Sequence, residues 1–170
     1  WDLDTAYLSL EALAPGTHGQ DSAYLRPERQ RIEEVLDSRP RSVLRGEAGA
    51  GKTTLVWWLA SHAVCRTMPK ELKALDGLIP FVIPMRSLAA QGITTPTPAQ
   101  LPTIAQLQVD EAPSGWAGRV LEAGRALLLV DGLDELPRAE RGPARRWLAD
   151  LMRMYPETRC LVTVRPLAVE

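Results

Sequence analysis

Gly46-Glu47-Ala48-Gly49-Ala50-Gly51-Lys52-Thr53-Thr54 fits the pattern G-x-x-x-x-G-K-[ST], with one additional glycine inside it. Each residue type in that run has a chemical use. Glycines let the backbone curl until successive N–H groups point inward at anionic oxygens. A helix opening near Lys52 would present its positive end to the same oxygens. Lys52 adds a mobile ammonium for the outer groups of a polyphosphate, and Thr53 and its neighbour Thr54 add hydroxyls, that of Thr53 for a magnesium ion. The competing reading is a glycine-rich turn joining a strand to a helix with no ligand. The apolar Ser42-Val43-Leu44 before the run and the apolar helical pattern Leu55 to Val64 after it supply the strand–loop–helix context that the phosphate reading requires.

A second cluster supplies what such a loop needs opposite it. Ala126-Leu127-Leu128-Leu129-Val130-Asp131 is an apolar run that ends in an acid, followed by Gly132-Leu133-Asp134-Glu135. A strand that carries Asp131 at its tip can hold the magnesium ion, directly or through water. Gly132 keeps the space beside the phosphates clear. Glu135 is the first choice to position or deprotonate an attacking water, and Asp134 the second. Either acid could instead only open the next helix, where negative charge is favourable. Arg165 follows another apolar run, Cys160 to Val164, and a guanidinium there could reach the outermost phosphate. Alone, it could equally be a solvated arginine before Pro166.

These residues need a scaffold, and the pattern of apolar runs describes one. Residues 1–24 form a leader of mixed character, with Tyr7, Leu8, Leu10 and Leu13 apolar and Pro15-Gly16 as a break. A helix is expected from Pro27 to about Ser38, with Ile32, Val35 and Leu36 as its stripe and Pro40 beyond its end. A strand at 42–45, the glycine loop and a helix at 52–66 follow. Leu78 to Met85 reads as a strand whose Pro80 and Pro84 tell against a central position and favour the edge of a sheet or a strand end. The Thr- and Pro-rich stretch 91–113 is expected to be a variable surface segment, with a helix opening at Thr97-Pro98. Another helix is expected from Ser114 to Gly124. A helix opening at Pro143 would place Trp147, Leu148, Leu151 and Met154 on one side. Strands alternating with helices predict an α/β fold, an open and mostly parallel sheet with helices on both faces. Ligands of such sheets sit at the carboxyl ends of the strands, where the loop, Asp131 and Arg165 all fall.

Composition sets bounds on partners. The chain of 170 residues is 45% apolar and 24% charged with a net charge of −1, so the overall balance gives no signal for nucleic acid or an anionic membrane. No apolar run approaches a membrane span. The start, Trp1-Asp2-Leu3-Asp4, lacks the basic-then-apolar order of a signal peptide and has no initiator methionine, which suggests a piece of a longer protein. Two cysteines make no disulfide framework and point to a cytoplasmic setting. Cys160 is expected to be a small buried hydrophobe. His18 and His62 stand apart from any cysteine pair or acidic cluster, so no zinc site is expected. Trp57 and Trp58 fall in the helix after the loop and are read as packing residues. The arginines between Arg138 and Arg146 are read as a solvated face.

The loop from Gly46 to Leu55, the acidic box Leu128 to Leu136 and the strand end Val162-Thr163-Val164-Arg165-Pro166 together resemble the NACHT family, within the STAND group of signal-transducing P-loop NTPases. The resemblance covers about residues 42–166. It implies binding of ATP or GTP with Mg2+, slow hydrolysis, and use of the bound nucleotide as a switch for self-association. It also implies that Arg165 is the first phosphate sensor. Residues 1–40 would then be a leader and linker helix, and 41–170 the nucleotide-binding core, truncated at its C-terminal end with a fifth core strand expected after Glu170. An effector domain before the core, and a winged-helix region and sensing repeats after it, are expected of such proteins. The preference for Ala and for Arg over Lys resembles proteins of GC-rich bacteria, where this family is linked to defence or regulation. No Asn-Lys-x-Asp guanine-reading box is present, which favours adenine. One alternative is a housekeeping P-loop enzyme such as a small-molecule kinase or motor ATPase, although no arginine-rich lid is evident. The other is a scaffold that binds nucleotide without turnover, against which Lys52, Asp131 and Glu135 argue.

Overall fold

The computed structural model describes residues 11–14, 28–104 and 112–166. Pro27, His18, most of the apolar leader and residues 105–111 of the 91–113 segment lie outside the described residues. The strands are β1 (Glu11–Ala14), β2 (Glu28–Arg31), β3 (Arg41–Arg45), β4 (Ile79–Pro84), β5 (Ala126–Asp131) and β6 (Arg159–Val164). The α-helices are α1 (Ile32–Ser38), α2 (Lys52–Cys65), α3 (Met85–Ala90), α4 (Trp116–Glu122) and α5 (Arg138–Met154).

β3, β6, β5 and β4 form one parallel sheet in that order. Side chains alternate across it, as a period of two demands. Val82, Leu127, Leu129 and Leu161 pack on one face with Leu55, Leu59 and Trp58 of α2 and with Ile32 and Leu36 of α1. Phe81, Ile83, Leu128, Val130, Cys160 and Val162 pack on the other face with α3, α4 and α5. All residues of β5 before Asp131 are buried. A strand covered on both faces must be apolar throughout, which is why this run is continuous rather than alternating. The path from β3 to β4 crosses the sheet in one direction, and the next two connections step back. Crossovers of one hand must then put α2 on one face and α3 to α5 on the other, as found.

Among the described residues β4 is an edge strand, one of the two placements its prolines favour. Ile79 N–H donates to Arg125 O at 2.7 Å, towards β5. Backbone direction alternates along a strand, so Pro80 and Pro84 both stand where an N–H would face outward, and neither costs a ladder bond. β3 is the opposite edge, and its Val43 is 61% exposed. The fifth strand expected beyond Glu170 lies outside the described residues.

Three expectations need correction. The first helix begins at Ile32, not near Pro27; Glu28–Arg31 instead pairs antiparallel with Glu11–Ala14, so a partner strand overrides the proline signal. Its apolar stripe of Ile32, Val35 and Leu36 is buried as expected. The last helix begins at Arg138, and Pro143 lies inside it. The carbonyl that Pro143 leaves without a helical donor belongs to the exposed Ala139, where water can serve it. The buried stripe of α5 is Ala144, Leu151 and Met152 with Leu148 packed beside them, while Met154 is 68% exposed. Met154 falls about a sixth of a turn beyond Leu151, outside that stripe at helical spacing. Thr97-Pro98 does open a turn, closed by Thr97 N–H donating to Gln100 Oε1 at 2.8 Å, but it is a single 3-10 turn over Pro98–Gln100. α4 runs from Trp116 to Glu122, and Gly124 follows just beyond its end with φ 64°.

Candidate functional site

The loop 46–51 leaves β3 at its carboxyl end and runs directly into α2. Gly46 N–H is anchored to Val164 O of β6 at 3.2 Å, and Ala50 N–H folds back on Glu47 O at 3.2 Å. Gly49 and Gly51 have φ of 81° and 77°, which side chains with a Cβ rarely adopt. The additional glycine in the motif is therefore one of the two left-handed hinges that shape the curl. α2 opens at Lys52, and its first N–H groups have no carbonyl to meet inside the helix. Lys52 Nζ donates to Gly46 O at 2.5 Å and to Glu47 O at 2.8 Å. An ammonium has three hydrogens, so this grip on the loop leaves one for an anion.

Asp131 stands at the tip of β5, two strands from β3. The strand between them, β6, is narrow enough for the two sites to touch. Thr53 Oγ1 donates to Asp131 Oδ2 at 2.8 Å. The other carboxylate oxygen, Oδ1, accepts from Thr163 Oγ1 at 2.5 Å. Gly132 has φ 73° and ψ 44° and turns the chain into a 3-10 turn over Leu133–Glu135. A Cβ on Gly132 would lie 3.2 Å from Glu135 Cγ and Cδ. The space kept clear by Gly132 is thus the resting place of the Glu135 side chain.

Asp134 and Glu135 do not cap α5, which begins at Arg138 after Pro137. Both meet Arg165 instead. Arg165 N–H donates to Asp134 Oδ1 at 3.0 Å, and its guanidinium donates to Glu135 Oε1 at 2.6 Å. The Arg165 side chain is 50% exposed, so these contacts are screened and the pair contributes below about 1 kcal/mol. Arg165 can therefore exchange partners cheaply. Ala48 to Thr54, Asp131, Glu135 and Arg165 line one open cavity of about 270 Å3. That is just below the usual range for small-molecule sites, with walls of mixed polar and apolar character.

Thr163 is the residue that reading the sequence passed over. It is fully buried at the end of β6, within a run that looks purely structural. Only its position one strand away from Asp131 gives it a role. Among the packing residues, Trp58 is buried and Trp57 packs against the same core. Cys160 is buried beneath the sheet, and burial pushes its thiol up to about 12 despite the nearby Arg41. Arg138, Arg145 and Arg146 are exposed, whereas Arg141 donates to Leu136 O at 2.8 Å and steadies the start of α5. No helix among the described residues is long and apolar enough to cross a membrane.

No curated protein matches the chain. The family model of the NACHT domain matches residues 40–170, a span that contains the loop, the acidic box and Arg165. Since that span is well over half of its length, the chain belongs to the NACHT family of P-loop NTPases and is a nucleotide-binding NTPase domain.

Proposed function

We propose that this chain is the nucleotide switch of a larger cytoplasmic signalling or defence protein: it binds ATP with Mg2+, hydrolyses it slowly, and in the nucleotide-bound state promotes self-association. Residues 41–170 form the nucleotide-binding core in this reading, after a leader and linker at 1–40. The observation that carries it is the meeting of Lys52, Thr53, Asp131, Glu135 and Arg165 around one cavity at the carboxyl edge of the sheet. Residues far apart in the chain converge there in the chemistry a triphosphate requires.

The donor set fits Mg2+. Thr53 and Asp131 offer one hydroxyl and one carboxylate within 2.8 Å of each other, and no group of three or more metal-ligating side chains occurs among the described residues. Mg2+ is commonly held by so few protein ligands, with phosphates and water completing its shell. Thr53 and Asp131 would hold the ion, which when bound neutralises charge on the phosphate oxygens. Lys52 and the loop amides grip the phosphate chain. Glu135 holds or deprotonates the attacking water, with Asp134 less suited because its Oδ1 accepts a backbone N–H. Arg165 reads the outermost phosphate. Its weak grip on Glu135 supports switching, because a ligand shifts an equilibrium only through its differential affinity for two states. A triphosphate that draws Arg165 away from Glu135 gains a contact that a diphosphate lacks.

Phosphate release by the chain, measured with ATP and with GTP, with and without small-molecule acceptors, tests this reading. Slow release from ATP, unaffected by acceptors, is expected. Release that climbs steeply with an added acceptor would make the protein a kinase, and displacement of bound ATP by GTP at lower concentration would reverse the base preference.

A further inference from the structure

We infer that Thr163 is a positioning residue for the metal-facing carboxylate, an inference that rests on the proposed nucleotide and Mg2+ reading of the site. The hydrogen-bond directions around its hydroxyl are determined by its partners. Gly132 N–H can only donate, and it reaches Thr163 Oγ1 at 2.9 Å. That occupies a lone pair of the hydroxyl and leaves its single hydrogen for Asp131 Oδ1, which can only accept as a carboxylate, at 2.5 Å. The chain of bonds therefore runs from Gly132 N–H through Thr163 to Asp131.

This relay divides the two oxygens of Asp131 between two tasks. Oδ1 is held inward by Thr163, which is fully buried, and cannot turn to solvent. Oδ2 is left to face Thr53, the other residue proposed to hold the ion. The plane of the carboxylate is thus set before any ligand arrives. The same hydroxyl fixes the backbone of Gly132, from which the turn to Glu135 departs. β6 and the residue just after it hold both ends of the acidic box: Thr163 of β6 holds Asp131, and Arg165 beyond its end holds Asp134 and Glu135. Outer partners of metal ligands tune affinity by orienting the ligand, and their loss commonly costs about 10–100-fold in metal affinity.

The test is calorimetric titration of ATP into the full chain, in excess Mg2+ and in EDTA, for wild type, Thr163→Val and Thr163→Ser. Valine keeps the branched shape and removes the hydroxyl. Thr163→Val is expected to lose roughly 10–100-fold of the Mg2+-dependent part of ATP affinity while its affinity in EDTA stays at the wild-type value. Thr163→Ser, which keeps the hydroxyl, restores the Mg2+ dependence. Equal Mg2+ dependence in wild type and Thr163→Val overturns the inference, and so does an equal loss in EDTA, which would mark a merely structural role. Should Thr163→Val not fold, Thr163→Ser against Thr163→Cys makes the same contrast, and matching Mg2+ dependence in that pair overturns the inference. A wild-type chain whose ATP affinity ignores Mg2+ overturns the site reading itself, a result distinct from a failure at Thr163.

Discussion

Gly132→Ala perturbs two links of the account at once, and the geometry sets both magnitudes. Gly132 sits at φ 73° and ψ 44°. Placing an L side chain in that region costs roughly 1–2 kcal/mol. Alanine also restricts the unfolded chain, which offsets about 0.4–1 kcal/mol. The new Cβ would stand 3.2 Å from Glu135 Cγ and Cδ, the flexible end of a side chain that can swing aside. Swinging it breaks the 2.6 Å contact with Arg165, a half-exposed pair contributing below about 1 kcal/mol. The sum is a loss of stability centred on about 1 kcal/mol and at most about 2.5 kcal/mol. Urea unfolding followed by circular dichroism is expected to show a lower midpoint with an unchanged slope. Because Glu135 leaves its position while Lys52 and Thr53 do not, phosphate release should fall by far more than ATP affinity. An alanine variant with the wild-type midpoint and the wild-type turnover would refute both the strain argument and the assignment of the cleared space to Glu135.

Other outcomes follow from the same geometry. Glu135→Gln is expected to keep ATP affinity within a fewfold and to slow hydrolysis by about 10²–10⁴-fold, the scale of general-base catalysis; single-turnover phosphate release at the wild-type rate would move the water-positioning role elsewhere. With the Cys160 thiol buried and pushed up to about 12 and Cys65 exposed, a thiol reagent at pH 8 should modify one cysteine in the native protein and both in urea. Rapid modification of Cys160 in the folded chain, read by peptide mass, would contradict its burial. Thr158 is fully buried and its hydroxyl finds no partner among the described residues. Thr158→Val removes an unmet polar group costing about 1–3 kcal/mol, so the thermal midpoint should stay level or rise, and a clear drop would reveal an unseen partner for the hydroxyl.

Much of the sheet was legible because its signals are local. The run Ala126 to Val130 is apolar on both parities, which only a doubly covered strand requires, and Asp131 then marks its tip. Pro80 and Pro84 told against a central strand because each lacks an N–H for a second neighbour. The glycine loop was legible because its chemistry demands those residues at that spacing. What was hidden depends on partners distant in the chain. Glu28–Arg31 becomes a strand only through pairing with Glu11–Ala14, so no window around Pro27 could reveal it. Pro143 suits a first helical position and so hid a helix that had already run for more than a turn from Arg138. Thr163 looks like any strand threonine until parallel pairing sets β6 beside β5 and brings it to Asp131. The grip of Arg165 on Glu135 likewise needs both strand ends in one place.

Calorimetric titration of ATP with Mg2+ into the wild-type chain and Lys52→Ala is the most direct test of the central claim, that the glycine loop and its ammonium grip a triphosphate. Two of the three Lys52 hydrogens hold Gly46 and Glu47 carbonyls, so one charged hydrogen bond to phosphate is at stake, about 1.5–3 kcal/mol. Wild type is expected to bind saturably, and the variant with an affinity roughly ten- to 150-fold weaker. Equal affinities, or no binding by wild type, would contradict that claim.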